Sequence, residues 1–148
     1  MDKYYKRSGI VPYFQKHGLY AFGFNRDYGT LIDFGGTIEE GENEFQTAAR
    51  EYNEESFGVF GKIRSIDLEG QKMLYYKNNT LFFVFCELEP DEVSYNFNER
   101  LMKEKEPENH EIQGIVFLSG NDIKDILANE EDVFFYRTRE TLIFGEWI

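Results

Sequence analysis

Glu51, Glu54 and Glu55 stand at positions i, i+3 and i+4. On a helix, that spacing puts three carboxylates on one face. Such a face repels itself, and a hard divalent cation removes the conflict. Magnesium takes oxygen ligands in near-octahedral geometry and shares them with water and phosphate. Arg50 lies four residues before Glu54 and is spaced to pair with it. Glu42 falls just before the same stretch, and the Gly35-Gly36 pair lets backbone come close, where a free carbonyl would add an oxygen ligand. A glutamate-rich helix face is otherwise solvated surface, so the flanking residues decide between the two.

Those carboxylates need a helix to present them. Residues 43–57 supply it: Asn43 is a good N-cap, Gln46 completes a capping box, and Gly58 is a natural terminator. Phe45, Ala48, Ala49 and Tyr52 form an apolar stripe offset from the carboxylates. Upstream, Ile10–Phe14 and Leu19–Phe24 read as a hairpin around Lys16-His17-Gly18, and Thr30–Phe34 as a short strand broken by the Gly-Gly pair. Downstream, strands are expected at Lys62–Asp67, Lys72–Tyr76, Leu81–Leu88 and Glu111–Leu118. Residues 89–110, polar and carrying Pro90 and Pro107, read as a surface excursion. Ser119 is placed to cap one helix and Asp132 a last one running to about Phe144. Strands mixed with a few helices make an α/β (α+β) sandwich, and 148 residues suit a single domain, 1–148.

Composition narrows the partners. The formal net charge of −12 disfavours nucleic acid and anionic membranes, which are gripped by basic side chains. An aromatic content of 18% argues against disorder. Cys86, the single cysteine, rules out an intrachain disulfide and reads as buried strand filler. The apolar run Leu81–Cys86 is too short to span a bilayer, and no signal peptide is visible, so a cytoplasmic setting is expected.

The pattern G-x5-E-x7-R-E-(apolar)-x-E-E, at Gly36, Glu42, Arg50, Glu51, Tyr52, Glu54 and Glu55, resembles the Nudix box of the Nudix hydrolase family. With 13 glycines, 7 arginines and 20 glutamates in the chain, an accidental match has odds on the order of 10⁻⁴. The box covers about a seventh of the sequence. Two positions depart from the family pattern. Phe57 stands where a glycine is usual, with Gly58 following. Leu31 and Phe34 replace the Trp and Pro that often precede the double glycine.

The resemblance implies a Nudix-like α/β/α sandwich with a mixed central sheet. It also implies Mg²⁺-dependent hydrolysis of a pyrophosphate bond, Mn²⁺ being the alternative ion. Carried over by position, Glu54 and Glu55 would be the principal metal ligands, and Glu51 a ligand or the general base. Arg50 would orient the glutamates, Glu42 would contact the metal cluster, and Gly35 would offer its carbonyl. Glu111, which opens the last core strand, is the candidate for an additional acidic residue, with Glu108 the alternative. Arg26 is a candidate contact for a substrate phosphate.

The implied substrate is a small nucleotide: a nucleoside triphosphate, a dinucleoside polyphosphate or a nucleotide sugar. Rival readings are an mRNA-decapping enzyme and a non-catalytic nucleotide-binding sensor. A homodimer is the oligomer the family suggests. Tyr13, Tyr20, Phe24, Tyr28 and Tyr76 are either core or nucleobase stackers. His17 and His110 read as turn and loop residues.

Overall fold

The computed structural model describes residues 2–147. Its centre is a mixed sheet of eight strands: β1 (Arg7–Phe14), β2 (Leu19–Asn25), β3 (Thr30–Ile32), β4 (Phe34–Thr37), β5 (Lys72–Tyr76), β6 (Asn79–Phe85), β7 (Ile112–Ser119) and β8 (Glu146–Trp147). The main order is β3-β2-β1-β6-β5-β8, with β4 on β1 and β7 on β2. Among the described strands only β1 and β6 run parallel; the other strand pairs are antiparallel. β1 therefore has β6 along one edge, while the other edge is shared by β4 at its start and β2 at its end.

Four helices cover the sheet: α1 (Glu44–Ser56), α2 (Pro90–Met102), α3 (Gly120–Asn129) and α4 (Tyr136–Phe144). Side chains alternate across a strand, so neighbours go to opposite faces. Ile10, Ala21, Ile32 and Phe82 join Ala48, Tyr52, Val93 and Phe97 in one core, against α1 and α2. Their neighbours Val11, Phe22, Leu31 and Phe83 join the other, with Ile123, Ile126 and Leu142 of α3 and α4 packed against it. The result is a three-layer sandwich with the sheet in the middle.

Several expectations are corrected. Lys62–Asp67 is not a strand but a loop leading into a 3₁₀ turn, Ser65–Leu68. The Asp67 carboxylate accepts the Arg64 backbone N–H at 2.9 Å, and Ile66 is 60% exposed, so the segment turns instead of pairing as a half-buried strand. Residues 89–110 contain α2, a full helix. Pro90 sits at its first position, Asp91 and Glu92 in its first turn, and Val93, Phe97 and Leu101 recur at i, i+4 and i+8 on the buried side.

The last helix begins at Tyr136, with Phe135 rather than Asp132 at its N-cap. Val133 and Phe135 are instead drawn alongside β3, each hydrogen-bonded to the Leu31 backbone at 2.8 Å. The Gly35-Gly36 pair does not end a strand. The chain breaks at Asp33 and continues as β4, with Gly35 opposite Gly9 and Gly36 opposite Ser8. A Cβ on Gly35 would lie 2.5 Å from the Gly9 Cα, so the close approach of β4 to β1 needs glycine there.

Candidate active site

The site is built on α1. Asn43 caps it, accepting the Gln46 N–H at 2.9 Å, while Gln46 returns the bond to the Asn43 N–H at 3.0 Å. Ala48, Ala49 and Tyr52 seat the helix on the sheet, which leaves Arg50, Glu51, Glu54 and Glu55 along the flank that meets β4 and the loop before β7.

Arg50 organises this flank. Its Nε donates to Glu42 Oε2 at 2.7 Å, and Nη2 to Glu42 Oε1 at 2.9 Å, a two-pronged grip. Its Nη1 donates to Glu51 Oε1 at 3.0 Å and lies 3.6 Å from Glu54 Oε2. Glu42 also accepts the Thr47 hydroxyl at 2.7 Å. The Arg50 hydrogen bonds, with that of Thr47, hold the Glu42 carboxyl down at about 2. Glu42 thus meets the cluster through Arg50.

Glu51 lies against β4. A Cβ on Gly36 would be 2.5 Å from its Oε1, so glycine is what lets the carboxylate sit there. Burial pushes the Glu51 carboxyl up, partly offset by Arg50. Glu55 is buried, and its Oε1 has no hydrogen-bond partner among the described residues. Burial raises its pKa well above the carboxylate range, and the charges of Glu51, Glu111 and Asp33 add to the rise. Glu54, by contrast, is 61% exposed at its side chain.

Two cavities flank these carboxylates. A wide cleft of about 1170 Å³ runs along α1 and is bordered by Glu54, Lys62, Arg100, Lys105 and His110. A narrower one of about 280 Å³ is walled by Arg7, Tyr28, Gly35, Gly36 and Phe135. Glu39, Glu51, Glu55 and Glu111 border both. Gly35, Glu51, Glu55 and Glu111 therefore come together, with Glu54 on the cleft side only. Arg26 and Glu108 border neither cavity. The Arg26 guanidinium is held by Asp27 at 2.8 Å and by the Glu108 carbonyl.

Among the described residues, no three His, Cys, Asp or Glu side chains are gathered closely enough to hold a metal ion as they stand. The donor chemistry nonetheless fits a hard divalent cation. It consists of carboxylate oxygens, one of them buried and unpartnered on Glu55, and one set in the glycine cradle at Gly36.

Three features escaped the sequence. Arg7 and Asp33 form an ion pair at 2.9 Å, with both side chains almost fully buried. Asp33 also accepts the Thr138 hydroxyl at 2.5 Å, and Arg7 donates to Asn79 at 3.0 Å. The signal was an aspartate wedged between Ile32 and Phe34. Second, Phe57, in the usual glycine position, is itself left-handed at φ 57°, a conformation that costs a side chain roughly 1–2 kcal/mol. The helix ends before it rather than running on to Gly58. Third, the Phe57 ring stacks on His110, with centroids 4.3 Å apart.

No protein-family model and no curated protein matches the sequence. Solved structures do match. An Ap4A hydrolase of C. elegans aligns over 82% of this chain and 85% of its own, at 20% identity and a TM-score of 0.53. A NUDIX-family hydrolase from Clostridium perfringens aligns over 94% of this chain and 93% of its own, at 14% identity and a TM-score of 0.47. With its layered mixed sheet and four helices among the described residues, the chain shares its fold with the Ap4A hydrolase structure, in keeping with the fold that the Nudix resemblance implies.

Proposed function

We propose that this chain is a divalent-cation-dependent pyrophosphohydrolase acting on a small nucleoside diphosphate derivative in the cytoplasm. The observation that carries the reading is the convergence of Glu51, Glu55 and Glu111 between two cavities, with a buried Glu55 oxygen that has no hydrogen-bond partner among the described residues. Glu51, Glu54, Glu55, Glu111 and the Gly35 carbonyl would hold Mg²⁺, or Mn²⁺ in its place. When bound, the ion supplies neutralisation of phosphate charge and a lowered pKa for its water.

The chain's own residues do the rest. Glu51, raised by burial and held by Arg50, is suited to take a proton from the attacking water. Arg50, fixed by Glu42, keeps that carboxylate aimed. Glu54 faces the open cleft, the side from which a substrate would approach the cation. The likeness to an Ap4A hydrolase makes dinucleoside polyphosphates the first substrates to try, ahead of nucleoside triphosphates and nucleotide sugars.

The test is phosphate or nucleotide release from a panel of these compounds, with and without Mg²⁺. Turnover that requires the ion supports the reading. A folded protein inert across the panel sinks it. A second reading is a nucleotide-binding domain without turnover, favoured by the absence of a ready three-ligand cluster among the described residues. It predicts binding of a panel compound with no product.

A further inference from the structure

We infer that His110 is a positioning residue, which holds Glu111 against Glu51 and Glu55 through a clamp made with Phe57. The inference rests on the reading of those carboxylates as a cation site and goes beyond it.

The carboxylates of Glu51, Glu55 and Glu111 repel one another. Glu111 is exposed, and its backbone bond to Arg26 ties it to the end of β2 without giving it a tie to α1. Its neighbour supplies one. His110 Nε2 lies 2.9 Å from the Glu55 backbone carbonyl. A carbonyl only accepts, so Nε2 carries the proton and donates. This carbonyl lies in the last turn of α1, where helix carbonyls lack partners within the helix. One bond thus ties the residue before Glu111 to the residue that bears the buried carboxylate.

The ring that makes this bond is held flat. Phe57 stacks on it at 4.3 Å with planes 20° apart, and Phe97 of α2 backs Phe57 at 5.4 Å. The Arg100 guanidinium lies over the Phe57 ring, 5.0 Å from its centroid. The main chain on either side is fixed as well. Gln113 donates to the His110 carbonyl at 2.6 Å, and the Glu111 carbonyl accepts the Arg26 N–H at 2.9 Å. A glycine at position 57 would relax the backbone but leave His110 without its platform. The aromatic side chain at this left-handed position therefore has a use: it exchanges local ease for a fixed His110.

The test measures Mn²⁺ affinity by electron paramagnetic resonance, with circular dichroism to follow folding. The variants are Glu111→Gln, His110→Ala, His110→Gln, Phe57→Gly and the double variant His110→Ala/Glu111→Gln. Glu111→Gln and His110→Ala are each expected to weaken Mn²⁺ binding by about tenfold or more. The double variant is expected to bind no more weakly than Glu111→Gln alone, because both changes remove the same contribution. His110→Gln, which retains a side-chain N–H donor, recovers part of the affinity. Phe57→Gly stays folded and loses affinity; it carries the test should His110→Ala not fold.

Unchanged affinity in either single variant overturns the inference, and so does a double variant whose loss is the full sum of both. A wild-type protein that binds no Mn²⁺ overturns the cation reading itself. That outcome is distinct from a wild type that binds and variants that match it.

Discussion

Arg50 holds Glu42 with two nitrogens at once, Nε at 2.7 Å from one oxygen and Nη2 at 2.9 Å from the other. Its remaining nitrogen reaches Glu51 at 3.0 Å. One planar fork thereby spans Glu42, just ahead of the N-cap of α1, and a carboxylate of the helix's second half. Lysine carries the same charge but has a single nitrogen on a flexible stem. Arg50→Lys should therefore keep the fold and lower kcat/KM by about 10- to 100-fold. Steady-state hydrolysis of the best panel substrate checks this, and full activity in the variant would remove Arg50 from the machinery.

Glu54 offers the cleanest separation of chemistry from folding. Its side chain is 61% exposed, and its ion pair with Arg50 is long at 3.6 Å. Glu54→Gln should leave thermal stability within about 0.5 kcal/mol of wild type, as expected for an exposed surface change. Metal-dependent turnover should vanish. Retention of full turnover would show that the glutamate assignment on α1 is wrong.

Glu55 behaves in the opposite way. Its buried carboxylate costs stability when ionised, and the neighbouring negative charges deepen the cost. Glu55→Gln keeps the shape and removes the charge. Without divalent ions, the variant should be more stable than wild type by about 1 kcal/mol, or roughly 2–4 °C in Tm. Differential scanning calorimetry in chelator decides it. A lower Tm would mean that the carboxylate has partners beyond those described. The same variant should lose Mn²⁺ affinity, an instance of function held at the expense of stability.

The pH dependence follows from two carboxyls shifted in opposite directions. Glu55 is raised in the folded state, so its contribution is full below the unfolded carboxylate pKa and is lost as pH rises through the folded value. Glu42 is lowered to about 2, so its contribution is present above the unfolded value and is lost as pH falls toward about 2. Urea unfolding in chelator should show the advantage of Glu55→Gln over wild type growing as the pH rises above the ordinary carboxylate range. The penalty of Glu42→Gln should shrink as the solution is acidified below about pH 4. A pH-independent difference in either case would refute the corresponding assignment.

Gly36 tests the cradle. An alanine Cβ would lie 2.5 Å from Glu51 Oε1, and a carboxylate at the end of a side chain can move aside. Gly36→Ala should cost little stability, under about 1 kcal/mol, while cutting turnover at least tenfold through a displaced Glu51. Comparing Tm with kcat separates the two, and unchanged kcat would show that Glu51 need not touch β4.

Much of α1 was legible because its signals are local. The Asn43–Gln46 capping box and the stripe of Ala48, Ala49 and Tyr52 act within one or two turns, and both are present as the spacing requires. α2 carried an equally regular signal in Val93, Phe97 and Leu101, but two prolines and a charged surface masked it. Lys62–Asp67 misled for the converse reason: Ile63 and Ile66 stand three residues apart, a spacing that suits a turn and not the two-residue period of a strand. The partners of Asp33 could not be read at all, because Arg7 and Thr138 reach it only through sheet pairing and helix docking. His110 is similar, since its partner Glu55 lies 55 positions earlier.

The Arg7–Asp33 pair also constrains how the molecule is assembled in time. Thr138 reaches Asp33 Oδ1 from a position 105 residues further along the chain, and Asn79 links Arg7 to Thr141 of the same last helix. A buried ion pair depends on the hydrogen bonds around it to offset the loss of water, and these come from later in the chain. During synthesis, strands β1 to β4 therefore emerge long before the groups that let them close. The wall of the narrower cavity, to which Arg7 belongs, needs β1 and the last helix together before it is complete. A nascent chain has every glutamate of α1 in hand before it has a finished floor on which to use them.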